Sequence, residues 1–170
     1  RRYPMIQSCR RIYQRDNRKM DLTSFNLASF LRTATQDVFE TMLSMELGEN
    51  DGIEALPPGT RQVVGSVSMA GAVSGTVNIY VSDMFARVIT AGMLGMELDE
   101  VDSEEEIHDV VGELSNMIGG DLKSRLCDAG FECELSIPSI TSGKDFSIES
   151  KGWAVDEKVR FLYEDHIAVV

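Results

Sequence analysis

Asp109, Glu113 and Asn116 follow one another at steps of four and three residues, and Gly120 comes four residues later. Those steps bring side chains onto one face of a helix. The acid and the amide offer different chemistry. The side-chain carbonyl oxygen of Asn116 can accept a hydrogen bond from a water and, having no pKa of its own, does so regardless of pH. The Glu113 carboxylate can pair with a cationic group on another molecule and so fix the register in which that molecule docks. An ordinary solvated face also carries Glu and Asn at i,i+3, so the spacing alone does not assign catalysis.

The element that must hold these groups is Ser103 to Gly130, which reads as one long amphipathic helix. Ile107, Val110, Val111, Leu114, Ile118, Leu122 and Leu126 recur at three- and four-residue steps and form a single apolar stripe. Ser103 is a good N-cap, Glu106 completes a capping box, Glu104 and Glu105 suit the positive end of the helix dipole, and Gly130 supplies a left-handed stop. At about 100° per residue, Asp109, Glu113, Asn116 and Gly120 fall within roughly 60° of one another, away from the stripe. Gly119 and Gly120 sit mid-helix, where each costs about 0.8–1.0 kcal/mol relative to alanine. A residue without Cβ beside the acid and the amide leaves a flat polar surface that another backbone can approach closely, which offsets that cost.

Asp109-x3-Glu113-x2-Asn116, followed after twenty-one residues by Pro138, resembles the signature of the CheC/CheX/FliY phosphatases of bacterial chemotaxis. The run Glu113 to Gly120, ELSNMIGG, is most similar to CheX sequences. The resemblance covers Met20 to Val170 and implies a CheC-like α+β fold whose mainly antiparallel sheet packs against two long helices. It also implies the activity: hydrolysis of the aspartyl phosphate of a CheY-like response regulator, in chemotaxis or a related two-component pathway. In that family the residues matching Glu113 and Asn116 enter the active site of phosphorylated CheY. The Mg²⁺ is held by CheY, so no cofactor is expected on this chain. Asp109, Gly120 and Pro138 would border the contact, with Pro138 shaping a strand end. Family members tend to carry Asn where this chain has Asp121, a change of local charge outside the presumed pair. The competing reading is a response-regulator-binding module without catalysis, and a third is a dimeric scaffold for another partner.

Such chemistry asks little of the protein. An aspartyl phosphate is a mixed anhydride and already reactive, so its hydrolysis chiefly needs a water held in line with the bond that breaks. An amide suits that task, much as a glutamine orients water in GTPases.

Composition narrows the partners. The chain of 170 residues is long enough for one domain with a substantial core. Residues 1–19 hold seven of the sixteen Lys and Arg but one acidic residue, leaving nine basic and twenty-seven acidic residues in 20–170. A body so acidic repels nucleic acid and anionic membrane and favours a protein partner with a basic face. The basic leader lacks an apolar export segment, and Met20-Asp-Leu-Thr-Ser opens like a natural start, so 1–19 reads as disordered or non-native upstream sequence. No apolar run reaches the roughly eighteen residues of a membrane span. Cys9, Cys127 and Cys133 lack metal-like spacing and read as reduced thiols of a cytoplasmic protein. His108 and His166 form no triad or zinc pattern.

In chain order, Thr23 or Ser24 begins a first helix whose stripe of Phe25, Leu27, Phe30, Leu31, Val38, Met42 and Met45 runs to Gly48, and 49–60 is a loop. Strands at 61–69 and 73–81 form a hairpin around Ala70-Gly71-Ala72, and Ser82 or Asp83 caps a shorter helix ending at Gly95. Beyond the long helix, 131–137 is a strand stopped by Pro138, and 146–155 with 158–169 make a closing hairpin around Asp156-Glu157. The missing strand-helix-strand alternation argues for an α+β domain.

Residues 37–48 also align without gaps on 109–120, with Asp, Val, Met and the last Gly identical, so the chain reads as two copies of one unit. Thr41 stands at the place of Glu113 and Ser44 at that of Asn116, which keeps packing residues and omits the polar pair, as the single-site CheX branch would. The family resemblance further implies a homodimer paired through the sheet, for which the last strands and the apolar tail Ile167-Ala-Val-Val170 would offer an edge.

Overall fold

The computed structural model describes residues 25–50, 56–146, 148, 152 and 154–170. The basic leader and the expected helix start at Thr23 or Ser24 lie outside them. Among the described residues, three helices, a short 3-10 turn and seven strands follow in the order α1 (Leu27–Leu43), β1 (Gly48–Glu49), β2 (Arg61–Gly71), β3 (Gly75–Ser82), α2 (Asp83–Leu94), the turn Leu98–Glu100, α3 (Glu104–Asp128), β4 (Cys133–Leu135), β5 (Ser139–Lys144), β6 (Arg160–Tyr163) and β7 (His166–Val169). Every strand pairing is antiparallel, in the order β1-β6-β7-β3-β2-β4, with β5 also pairing β2. This is the α+β arrangement that the sequence implied.

The long helix is the hub. It packs against β2, α1 and α2, and all seven residues of its apolar stripe are buried. Each such side chain contributes about 1.5–3 kcal/mol relative to leaving it in water. Ser103 caps α3 by accepting a hydrogen bond at Oγ from the Glu106 N–H, 3.3 Å, and Gly130 takes a left-handed φ of 91° just past its end. The face of β2 carrying Val63, Gly65, Val67 and Met69 is buried and lies against α3. The approach is close: a Cβ on Gly65 would stand 1.9 Å from Ser115 Oγ, and one on Gly119 would stand 2.5 Å from Val67 Cγ2.

Several boundaries differ from the sequence expectation. The first helix is capped by Asn26, whose Oδ1 accepts from the Ser29 N–H, and it stops at Leu43 rather than Gly48. Ser44 adopts a left-handed φ of 53°, and its N–H donates to the Glu40 carbonyl at 3.1 Å, the single closing hydrogen bond of a left-handed helix stop. Met45 and Leu47 are then both buried while Glu46 between them is exposed, so the segment after Ser44 buries its apolar residues at the two-residue period of extended chain. Met42, assigned to the helical stripe, is 46% exposed.

The first hairpin is correct but turns later, over 72–74. The C-terminal strands change most. Pro138 does not end a strand: β5 resumes directly after it and pairs β2 from Ser66↔Ser139 to Arg61↔Lys144. The described residues of 146–155 include no strand, and the closing hairpin is β6–β7 around Glu164-Asp165, where Glu164 has φ 54°. Within the sheet β7 lies between β6 and β3, and Ala168 and Val170 are buried. The C-terminal tail is therefore core and not an exposed edge.

Candidate functional site

The outward face of α3 carries the candidate residues together. Asp109 and Glu113 are exposed, and Asn116 and Gly120 are half-buried. Among the described residues, the side chains of Asp109, Glu113 and Asn116 have no hydrogen-bond or ion-pair partner. An acid and an amide left unpaired on a rigid helix are free to meet a partner molecule.

That rigidity comes from the residues beside them. Ser115 is buried, its hydroxyl donates to the Val111 carbonyl at 2.7 Å, and it fills the space that Gly65 leaves open in β2. Asn116 is thus one residue from the closest seam between helix and sheet. The glycine pair divides by role. Gly119 is buried against Val67 and belongs to packing, whereas a Cβ on Gly120 would meet nothing within 4 Å. Only Gly120 contributes to the open surface.

Pro138 reaches the same region from the sheet edge. Its Cγ lies 3.7 Å from where a Cβ on Gly112 would stand, and the Leu135 methyls lie 3.7 Å from the matching point on Gly119. Gly112 and Gly119 bracket Asn116 along α3, so the segment from Leu135 to Pro138 runs alongside the helix past the amide.

Asp121, the residue that departs from the family pattern, points elsewhere. Its carboxylate accepts from Arg125 Nε at 2.8 Å, and Arg125 Nη2 reaches Asp37 of α1 at 2.7 Å. The hydrogen bond that Arg125 donates to Asp121, with both carboxylates nearby, holds the guanidinium pKa above its usual value. Asp121 therefore holds the arginine that joins α3 to α1 and leaves the polar face unchanged.

The other copy of the repeat lacks this geometry. Thr41 Oγ1 donates to the Asp37 carbonyl, and Ser44 lies past the helix end in its left-handed cap, so the counterpart of Asn116 is not on a helix at all. The cavity beside α1, about 540 Å³, is lined by Gln36, Asp37, Glu40, Met45, Glu46, Leu47 and Gly48 and does not include the α3 face. Three carboxylate or imidazole ligands converge, among the described residues, at Glu164, Asp165 and His166 on the β6–β7 turn rather than on α3. His166 also stacks on Phe85 at 5.0 Å, a core-edge position. Cys127 and Cys133 are free thiols, and burial raises the Cys133 pKa, which keeps it protonated.

Sequence reasoning missed β5 and the contact of Pro138 with Gly112. The sequence after Pro138 offered little signal, because Ile140 is the one large apolar residue of Ser139–Lys144.

Known proteins bear on this geometry. The family described as chemotaxis phosphatase CheX matches residues 63–161. The CheY-P phosphatase CheX of Thermotoga maritima is 31% identical over 87 residues, 51% of this chain and 55% of that protein, so the match spans about half of the curated relative's length. Chemotaxis protein CheX from Vibrio vulnificus superposes with a TM-score of 0.72 at 27% identity, over 85% of this chain and 93% of that one. A CheX-CheY-BeF3-Mg²⁺ complex from Borrelia burgdorferi shares the fold, with a TM-score of 0.63 at 24% identity over 83% of this chain and 94% of that one. The family match takes in more than half of the chain, including α3 and its polar face, and the chain belongs to the CheX family of chemotaxis phosphatases.

Proposed function

We propose that this chain hydrolyses the aspartyl phosphate of a CheY-like response regulator, with Asn116 positioning the attacking water and Glu113 anchoring the partner. The observation that carries the reading is the unpartnered Glu113 and Asn116 on the open face of a helix whose other face is locked into the sheet. The family and the name of the Thermotoga maritima relative support the phosphatase activity, and the composition of the Borrelia burgdorferi complex supports the partner.

When the receiver domain docks on α3, the Asn116 carbonyl oxygen accepts a hydrogen bond from a water and holds it opposite the oxygen that leaves. Water attacks phosphorus, the P–O bond to the aspartyl carboxylate breaks, and aspartate and inorganic phosphate result. Mg²⁺ belongs to the receiver in this scheme and neutralises charge on the phosphoryl oxygens. This chain's own part is to place the water, to pair Glu113 with a cationic side chain such as lysine, and to exclude solvent through Asp109, Gly120 and Pro138 at the rim. One site per chain acts, because α1 ends before the place of the second amide. The setting is the cytoplasm, where response regulators work.

The chain acts as a homodimer in this reading. Among the described residues the sheet ends on the two-residue β1 at one side and on β4 and β5 at the other, and β5, with six residues, is the longest strand that pairs on one side only. Backbone groups left free on such an edge are satisfied when a second copy adds to it, and a two-fold is the commonest closure.

The direct experiment mixes the purified chain with phosphorylated receiver domains and follows loss of the phosphoryl group. Accelerated loss from one of them supports the phosphatase. Tight binding with no acceleration would replace it with the docking module.

A further inference from the structure

The edge of the sheet beside Asn116 is interrupted by a β-bulge. Leu135 pairs with Met69 and Ser139 with Ser66, so the three residues Ser136, Ile137 and Pro138 stand opposite only two, Val67 and Ser68. Ser136 keeps the bulge in place. Its N–H donates to the Ser68 carbonyl at 2.8 Å, its Oγ accepts from the Ser68 N–H at 3.0 Å, and its hydroxyl donates to the Ile137 carbonyl at 2.8 Å. Pro138 costs no ladder hydrogen bond at a bulge, having no N–H to give.

The consequence is an unusual side chain. Leu135 and Pro138 face α3 at Gly119 and Gly112, and between them Ile137 is 88% exposed, the most exposed large apolar residue among those described. A fixed bulge of this kind commonly re-aims a side chain beside a functional site. A lone exposed isoleucine is ordinary. Here, however, the backbone around it is pinned by three hydrogen bonds, and the segment passes the amide that is assigned to the reaction.

We propose that Ile137 is the apolar anchor for the phosphorylated receiver domain, a specificity-determining residue that buries against the partner while Asn116 enters the partner's active site. This rests on the phosphatase reading above. The α3 face is acidic, with Glu105, Asp109 and Glu113 all exposed, so charge draws the basic partner in without fixing its rotation. An apolar contact at one side of the amide fixes the remaining angle, and burying an isoleucine at an interface core contributes more to residence than a rim charge does. The occupant is thus a basic protein surface bearing an apolar hollow, the same molecule that carries the phosphoryl group.

The test is steady-state hydrolysis of a phosphorylated receiver domain that the wild-type chain dephosphorylates, comparing Ile137→Ala, Ile137→Val and Ile137→Asp. Loss of the side chain is expected to raise KM about tenfold or more for Ala and further for Asp, with kcat within about twofold, and Val should recover most of the affinity. Thermal stability and sedimentation should not change, since the side chain is in solvent in the free protein. An unchanged KM in Ile137→Asp would overturn the anchor while leaving the phosphatase intact. A change of sedimentation in Ile137→Asp would also overturn it, by assigning the residue to contact between two copies of the chain. If the wild-type chain accelerates no receiver, the phosphatase reading itself fails, an outcome distinct from either of these.

Discussion

At the residue scale the account depends on two side chains of different kind. Glu113 is exposed and without an intramolecular partner, so replacing it removes nothing that the fold uses. Its expected role is long-range and electrostatic, which salt screens over about 10 Å at 0.1 M. Glu113→Ala should raise KM for the phosphorylated receiver about five- to fiftyfold with kcat little changed. Raising the ionic strength should weaken wild-type affinity more than that of the variant. Equal salt dependence in the two, measured as KM from 50 to 500 mM salt (roughly 14 Å down to 4 Å of screening length), would remove the electrostatic role of Glu113.

At the element scale, α3 is a wedge with one locked face and one open face, and adjacent glycines test that division. Gly119→Ala would push a Cβ to 2.5 Å from the buried Val67, so it should destabilise the fold by about 1–3 kcal/mol. Gly120→Ala meets nothing in the chain and should stabilise it by up to about 1 kcal/mol through helix propensity. The same substitution should weaken receiver binding, because the new methyl group stands on the face that the partner approaches. Chemical denaturation and KM measured on both variants check the division, and a Gly120→Ala chain with unaltered KM would remove that glycine from the contact.

Much of this helix was legible in the sequence, because a long amphipathic element announces its stripe, cap and polar strip through local spacing alone. The grouping of the candidate residues was legible for the same reason, since Asp109, Glu113, Asn116 and Gly120 lie on one helix. The ends of α1 and the strand at Ser139–Lys144 were not. Where α1 stops depends on burial of Met45 and Leu47 in the core, a tertiary effect. The strand β5 is half-buried and carries Ser139, Thr141, Ser142 and Gly143, so only its pairing with β2 reveals it. The split of Gly119 from Gly120 likewise needs the position of Val67.

At the scale of the whole molecule, the two copies of the sequence repeat have parted. In each, a helix is followed by strands of the one sheet, α1 by β1 and β2 and α3 by β4 and β5, and the two helices pack together. Arg125 bridges them by reaching Asp37, the repeat counterpart of Asp109. The first copy thus uses its conserved-in-place acid for packing, and the second leaves its acid in solvent. The open β5 edge is where a second chain would add in the proposed homodimer. Sedimentation at micromolar concentration should return twice the chain mass, and a monomer would exclude pairing at that concentration.

The central claim is that Asn116 holds the attacking water, and the measurement that tests it most directly is the rate of phosphoryl loss from a receiver domain with Asn116→Ala, alongside the affinity of that variant for the same receiver. Alanine is the better helix former, and the substitution leaves Glu113, Gly120 and the buried stripe untouched. The account predicts affinity close to wild type and a turnover reduced about 10²-fold or more, the usual cost of removing one positioning group. Hydrolysis by Asn116→Ala at the wild-type rate would contradict it.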